Sequence, residues 1–84
     1  MAGMRDEGTA RRIEARRIGL GLTYAQLATR CGLSITYIHD VCNARAPLSV
    51  RAATIIAPII GLDARDLLIA QLDAELEAAG VKTV

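Results

Sequence analysis

The sequence predicts an all-α protein, a compact fold of five helices in one domain. Its 84 residues suffice for a single domain and leave no room for a second. Hydrophobic residues make up 52 % of the chain, yet Phe and Trp are absent and only two tyrosines are present. The core must therefore be built from Leu, Ile, Ala and Val. No segment shows the sustained alternation of apolar and polar residues that is typical of a half-buried strand.

Four of the predicted helices begin with the same capping signal, a polar residue whose side chain accepts a hydrogen bond from the helix N-terminus. Thr23 is followed three residues later by Gln26, which predicts a capping box. Leu22 and Leu27 flank this start as a hydrophobic staple. The other three starts are marked by Ser34, Ser49 and Asp63.

The first helix is the most basic one. We expect it to begin with Thr9 as its cap and to end at Gly19. Ile13 and Leu20 lie seven residues apart and are expected to face the core. The stem of Arg17 can pack beside this apolar stripe while its charge stays in water. Three further arginines are expected to point outward: Arg11, Arg12 and Arg16.

These signals divide the chain into three parts. Segment 1–8 is polar, contains two glycines and is expected to be flexible. The folded domain is expected to span 9–79, and a short tail, 80–84, follows after Gly80 stops the last helix.

The last two helices each carry one unusual feature. Pro58 lies inside the fourth helix and should kink it or end it early, because proline removes the hydrogen bond to the Thr54 carbonyl. The fifth helix, 64–79, has leucines at four-residue steps and is a possible dimer element. These leucines are Leu68, Leu72 and Leu76.

The net charge of +1 hides an asymmetry between the two halves of the chain. Residues 1–52 contain eight arginines and four acidic residues, whereas residues 53–84 contain two bases and five acids. Two interpretations stay open: ordinary solvated surface, or a basic face directed at phosphates.

Several classes of function are disfavoured by composition. Cys31, Cys42 and His39 fall short of the four ligands of a structural zinc site, so no metal is expected. No carboxylate pair, activated nucleophile or glycine-rich phosphate loop is recognisable, so we expect neither enzyme activity nor a cofactor. No apolar run reaches transmembrane length and no signal peptide is recognisable, which predicts a cytoplasmic protein without membrane contact.

The segment at about 23–43 has the spacing of a helix-turn-helix. Ala28 is small where two helices must approach closely, Gly32 permits the left-handed conformation of a sharp turn, and Ile38 anchors the second helix. In this motif the second helix enters the DNA major groove.

From about Arg17 to Leu68 the chain resembles the Cro/repressor-type (XRE-like) helix-turn-helix family, whose domains have a lambda-repressor-like fold. The residues that carry the resemblance are GLTYAQLATRCGLSITYIHDV, ARAPLS and IIGLDARDLL. The resemblance implies a regulator that binds double-stranded operator DNA, commonly as a homodimer.

Carried over by position, the reading helix of that family corresponds to 34–43. The resemblance places the base contacts at Ile35, Thr36, His39 and Asn43. Ile35 can contact a thymine methyl group, and the other three can form hydrogen bonds with base edges. Asp40 lies on the same face, where a carboxylate repels phosphate unless it accepts a bond from cytosine.

Contacts to the DNA backbone are expected around this helix. The resemblance places a phosphate contact at Tyr24, where the family frequently has glutamine, and the neighbouring polar and basic residues can supply more. The expected phosphate contacts are Arg17, Tyr24, Ser34 and Arg45.

The sequence thus favours a sequence-specific transcriptional regulator, a small dimeric repressor of phage or mobile-element type. Two alternatives stay open. The chain is also similar to the helical N-terminal domain of cyanases, which implies an oligomerisation or protein-interaction module without DNA binding. The closing LLIAQLDAEL is similar to the end of HigA-type antitoxins, which implies a toxin as protein partner.

Overall fold

Residues 7–80 are the part of the chain that the computed structural model describes, and they form five α-helices and no strand. The helices are α1 (Glu7–Gly19), α2 (Tyr24–Cys31), α3 (Ile35–Cys42), α4 (Val50–Ile60) and α5 (Ala64–Ala78). The prediction of an all-α, five-helix fold is confirmed. Of the N-terminal segment and the tail, residues 1–6 and 81–84 lie outside the described residues, and Glu7 and Gly8 belong to α1.

The four predicted caps begin helices α2 to α5. The Thr23 hydroxyl accepts a hydrogen bond from the Gln26 N–H at 3.0 Å, and the Gln26 side chain accepts one from the Thr23 N–H at 2.9 Å. Both halves of the predicted capping box are therefore formed. Each of the other caps accepts from the N–H three residues ahead, and these caps are Ser34, Ser49 and Asp63.

The core lies where α4 meets the other helices. α4 packs against α5, α2 packs against α3, and α1 contacts α3, α4 and α5. Aliphatic side chains fill the centre, as the composition predicted. The largest fully buried ones are Ile13, Leu27, Ile38, Ile56, Ile60 and Leu67. No helix within the described residues is both long and apolar enough to cross a lipid bilayer.

Two expectations for α1 are wrong. Thr9 does not cap the helix, because α1 already includes Glu7; its buried hydroxyl instead donates to the Leu67 carbonyl at 3.3 Å. Leu20 is 46 % exposed rather than in the core, because α1 has ended before it. Arg16 is exposed, as expected, and its Nε also donates to the Ile60 carbonyl at 2.8 Å, which ties α1 to the end of α4.

Pro58 does not end α4 early. The helix runs two residues further, to Ile60, and Gly61 then closes it in the left-handed conformation with φ 75°. Pro58 and Thr54 both lie on the exposed face of α4. Water can therefore solvate the Thr54 carbonyl that lacks its usual partner, which makes proline tolerable here.

The loop between α3 and α4 is held by Tyr37. Its hydroxyl donates to the Pro47 carbonyl at 3.3 Å and accepts from the Ser49 N–H at 3.2 Å. The loop also contains Ala44, the one non-glycine residue with positive φ (58°) among residues 7–80. The loop path, and with it the end of α3, is fixed by these contacts.

Candidate nucleic-acid interface

Helix α3 has one buried face and one outward face. Ile38, Val41 and Cys42 are buried against the core. The opposite side is open: Ile35 is 51 % exposed, Thr36 is exposed, and the other members of this face are exposed in part or in full. We call this set the α3 outer face: Ile35, Thr36, His39, Asp40 and Asn43. The four predicted base-contacting residues all belong to it.

Helix α2 and the turn after it set the position of α3. Leu27, Ala28 and Cys31 form the buried side of α2. Gly32 ends α2 with φ 66°, and the next N–H, that of Leu33, donates to the Ala28 carbonyl at 3.1 Å. A residue with a side chain would pay about 1–2 kcal/mol for this left-handed conformation. Ala28 is 5 % exposed, on the buried side of α2.

A polar cluster joins α1 to the N-terminus of α2. Arg17 and Glu14 form a bidentate ion pair, with Nε to Oε1 at 2.8 Å and Nη2 to Oε2 at 2.9 Å. The Arg17 guanidinium also donates to the Leu22 carbonyl at 2.6 Å and lies over the Tyr24 ring, 4.0 Å from its centroid. The Tyr24 hydroxyl donates to Glu14 at 2.9 Å. The role of Glu14 at the centre of this cluster was not predicted from the sequence, although its i, i+3 spacing to Arg17 was a usable signal.

The cluster continues into α3 through Tyr24. The Tyr24 and His39 rings meet edge to face, with centroids 4.9 Å apart. Asn43 caps α3: its Nδ2 donates to the His39 carbonyl at 2.7 Å and to the Tyr24 hydroxyl at 3.4 Å. His39 Nδ1 lies 3.8 Å from Asp40 Oδ1. Two of the predicted base-contacting residues, His39 and Asn43, are therefore oriented by contacts within the protein.

Hydrogen bonding in this cluster and burial in the core shift the pKa values of four groups. The hydrogen bond from Arg17 holds the pKa of Glu14 below its ordinary value of 4.5, although burial opposes the shift. The same bond raises the pKa of Arg17. Burial, with Glu14 nearby, raises the pKa of the Cys42 thiol to about 12, and burial also raises the pKa of Cys31. Both thiols are buried and unpaired with each other, as expected for small core residues.

The four predicted phosphate-contacting residues differ in how free they are. The Ser34 hydroxyl caps α3 at the Tyr37 N–H, and Tyr24 and Arg17 are held in the cluster around Glu14. Arg45 is exposed in the loop after α3, and its guanidinium has no partner among residues 7–80. Arg45 thus offers a full positive charge beside the α3 outer face.

The predicted dimer leucines lie along α5. Leu72 is 54 % exposed, and Leu68 and Leu76 are partly buried on the same helix. Ile69 adds a further exposed apolar side chain, 49 % accessible. These residues form an apolar strip along α5, and the strip begins at Leu68, which packs against the core. We call it the α5 strip.

The α2–turn–α3 pair, with its buried inner side and open second helix, defines a helix-turn-helix domain. The sequence model of the helix-turn-helix domain family matches residues 9–68, and the chain belongs to this family. The match bears out the resemblance to XRE-like proteins. No curated protein and no solved structure gives a significant match to the chain. The family is typically non-enzymatic, and membership indicates a DNA-binding regulator in general terms.

Proposed function

We propose that this protein is a sequence-specific transcriptional regulator, a small homodimeric repressor of phage or mobile-element type. The observation that carries the proposal is the α3 outer face, which stands open on a helix whose other side is locked into the core. In a helix-turn-helix domain such a helix enters the major groove. A cytoplasmic location remains a prediction.

Base contacts are assigned to Ile35, Thr36, His39 and Asn43. Among the proposed phosphate contacts, Arg45 carries the greatest weight because its charge is unpaired within the described residues. Arg17 and Tyr24 are proposed to contact phosphate as members of the cluster around Glu14. Ser34 is proposed to contact phosphate from the N-terminus of α3. Phosphate contacts orient the protein on the duplex, whereas the α3 outer face reads the sequence.

The α5 strip supports a homodimer. Two copies joined through Leu68, Leu72 and Leu76 would present their α3 helices to successive major grooves of a palindromic site, about 34 Å apart. Leu72 and Ile69 are exposed apolar side chains on this strip, and they favour such pairing because contact removes them from water.

Systematic selection from random duplexes, followed by anisotropy titration at several salt concentrations, tests the proposal. We expect an enriched palindromic motif and an affinity that falls steeply with salt, because each phosphate contact releases counterions. Absence of salt-sensitive binding at low ionic strength would refute DNA binding.

A protein-interaction module is the second candidate, of the cyanase N-domain or antitoxin kind. It is favoured by the contrast between two helices. α3 carries no Arg, Lys or Gln for DNA contacts, whereas α5 exposes the apolar side chains of Ile69 and Leu72. On this alternative, substitution of Thr36 and His39 with Ala leaves assembly and partner binding unchanged. A charge on the α5 strip instead abolishes assembly or the binding of a partner such as a toxin.

A further inference from the structure

We propose that the α3 outer face recognises the C5-methyl group of thymine. The protein therefore selects A·T pairs over G·C pairs at the positions that α3 contacts in the major groove. The inference rests on the proposed DNA-binding function and specifies the base that this face takes.

A shallow, open depression lies on the α3 outer face at the height of its first turn. Its lining comes from Tyr24, Ile35, Thr36 and His39 and consists mainly of apolar atoms. Ile35 contributes an isoleucine side chain that is half exposed to water. A methyl group placed against it would be removed from water together with the surface it covers, which is favourable. In the major groove, thymine is the standard base that presents such a group.

Helix α3 carries no Arg or Lys, the side chains whose paired donors suit guanine best. Guanine presents two acceptors, N7 and O6, and is recognised by a pair of donors such as those of Arg or Lys. α3 contains neither, and the amide nitrogen of Asn43 already donates to the His39 carbonyl and to the Tyr24 hydroxyl. The other polar atom of that side chain, Oδ1, is an acceptor.

The remaining groups suit an A·T pair. The Asp40 carboxylate, partly exposed one helical turn after Thr36, is also an acceptor when ionised. An A·T pair presents the adenine N6 amine and the thymine methyl group on the same major-groove edge, with the thymine O4 between them, so one base pair offers a group to the acceptors and a group to the depression. Cytosine offers an amine as well, but its pair lacks the methyl group and adds the two guanine acceptors.

Uracil substitution in the selected duplex isolates the methyl group, because thymine and uracil differ in nothing else. Each thymine of one half-site is replaced in turn, and affinity is measured by anisotropy. At one or more positions we expect about a fourfold loss, the value for the transfer of a single methyl group out of water. Ile35→Ala should bind the thymine duplex more weakly and should abolish the difference between thymine and uracil at that position.

Ile18→Ala is the matched control, since Ile18 is 61 % exposed on α1 and loses the same atoms. This variant should retain the full uracil effect. The inference is overturned if a selected duplex binds with salt dependence and no uracil substitution weakens it. It is equally overturned if the uracil effect survives in Ile35→Ala. Failure to select any salt-sensitive duplex would instead refute the proposed function itself.

Discussion

Gln71 on α5 bonds both backbone groups of Leu48, 23 residues away in the sequence. Its Nε2 donates to the Leu48 carbonyl at 2.7 Å, and its Oε1 accepts from the Leu48 N–H at 2.6 Å. The side-chain amide thus acts as a peptide group would and holds the loop after α3 against α5. Because Leu48 is buried, water cannot readily replace these bonds.

We expect Gln71→Ala to lower the free energy of unfolding by about 2 kcal/mol, since each net hydrogen bond contributes about 1 kcal/mol. Urea unfolding followed by circular dichroism measures the loss. Asp73→Ala, an exposed change on the same helix, is the control and should stay within about 0.5 kcal/mol of wild type. Equal losses in the two variants would show that the bonds to Leu48 contribute nothing specific.

Ala44→Gly should stabilise the protein. Ala44 has φ 58°, a conformation that costs a residue with a side chain about 1–2 kcal/mol, of which the greater flexibility of glycine when unfolded cancels part. We expect a net gain of about 0.5–1 kcal/mol by urea unfolding. Ala46→Gly, in the same loop but without positive φ, should instead destabilise, and a gain in both variants would contradict the explanation.

The ion pair between Glu14 and Arg17 predicts a specific acid sensitivity. The pKa of Glu14 is lowered in the folded protein, so its charge stabilises the fold above the unfolded-state value of 4.5, and that contribution is lost as the pH falls through the lowered pKa. Glu14→Gln should therefore be less stable than wild type at neutral pH and should lose less stability on acidification.

Urea midpoints at neutral pH and at about pH 3 measure the effect of Glu14→Gln. Glu77→Gln, on the exposed end of α5, is the control, and its urea midpoint should fall on acidification as much as that of wild type. If Glu14→Gln and wild type show the same fall in midpoint, the carboxylate of Glu14 is not the group responsible.

Arg45 and Arg17 should differ in their effect on DNA binding. Arg45→Ala removes an unpaired charge and should weaken binding to all sequences alike, with a fall in the salt slope of about 1. Arg17→Ala removes a charge already balanced by Glu14, so its slope should change less while its unfolding midpoint falls. Anisotropy titrations over a salt series decide this; a larger slope change for Arg17→Ala would reverse the assignment.

Leu72→Asp should dissociate the proposed dimer without unfolding the monomer. Leu72 is 54 % exposed, so the substitution should alter the stability of the monomer by about 0.5 kcal/mol or less, whereas a charge in an apolar interface is strongly unfavourable. Size-exclusion chromatography with light scattering measures the mass. Ile18→Asp, at an exposed apolar site on α1, should leave the mass unchanged. A wild-type mass for Leu72→Asp would exclude the α5 strip as the interface.

Local signals predicted most of the secondary structure. A cap such as Thr23 and a turn residue such as Gly32 act within four residues of themselves, so their chemistry is legible without knowledge of the fold. The failures lie in α1, where Thr9 has the right chemistry for a cap and yet donates to Leu67 on α5, 58 residues later in the sequence. A hydroxyl carries no sequence mark that distinguishes these two uses.

The position of the candidate interface could be predicted from the sequence, but the hydrogen bonds that its side chains make within the protein could not. The resemblance to a known family placed Ile35, Thr36, His39 and Asn43 on one helix face, and α3 bears them outward. Whether their polar atoms were free could not be read from spacing, because Asn43 is engaged by Tyr24, which is 19 residues earlier in the chain. Arg17 likewise carries a charge that only its contact with Glu14 identifies as balanced.

The sequence by itself determined five helices, the caps of α2 to α5 and the turn at Gly32, because capping, staples and left-handed turns are settled between near neighbours. The tertiary structure alone decided which polar groups remain available on that motif. Arg16 reaches Ile60, Gln71 reaches Leu48 and Glu14 gathers Arg17 and Tyr24 because packing brings distant segments together. The helices therefore follow from interactions between neighbouring residues. The polar groups available to a ligand are those that hydrogen bonds between distant segments leave unpaired.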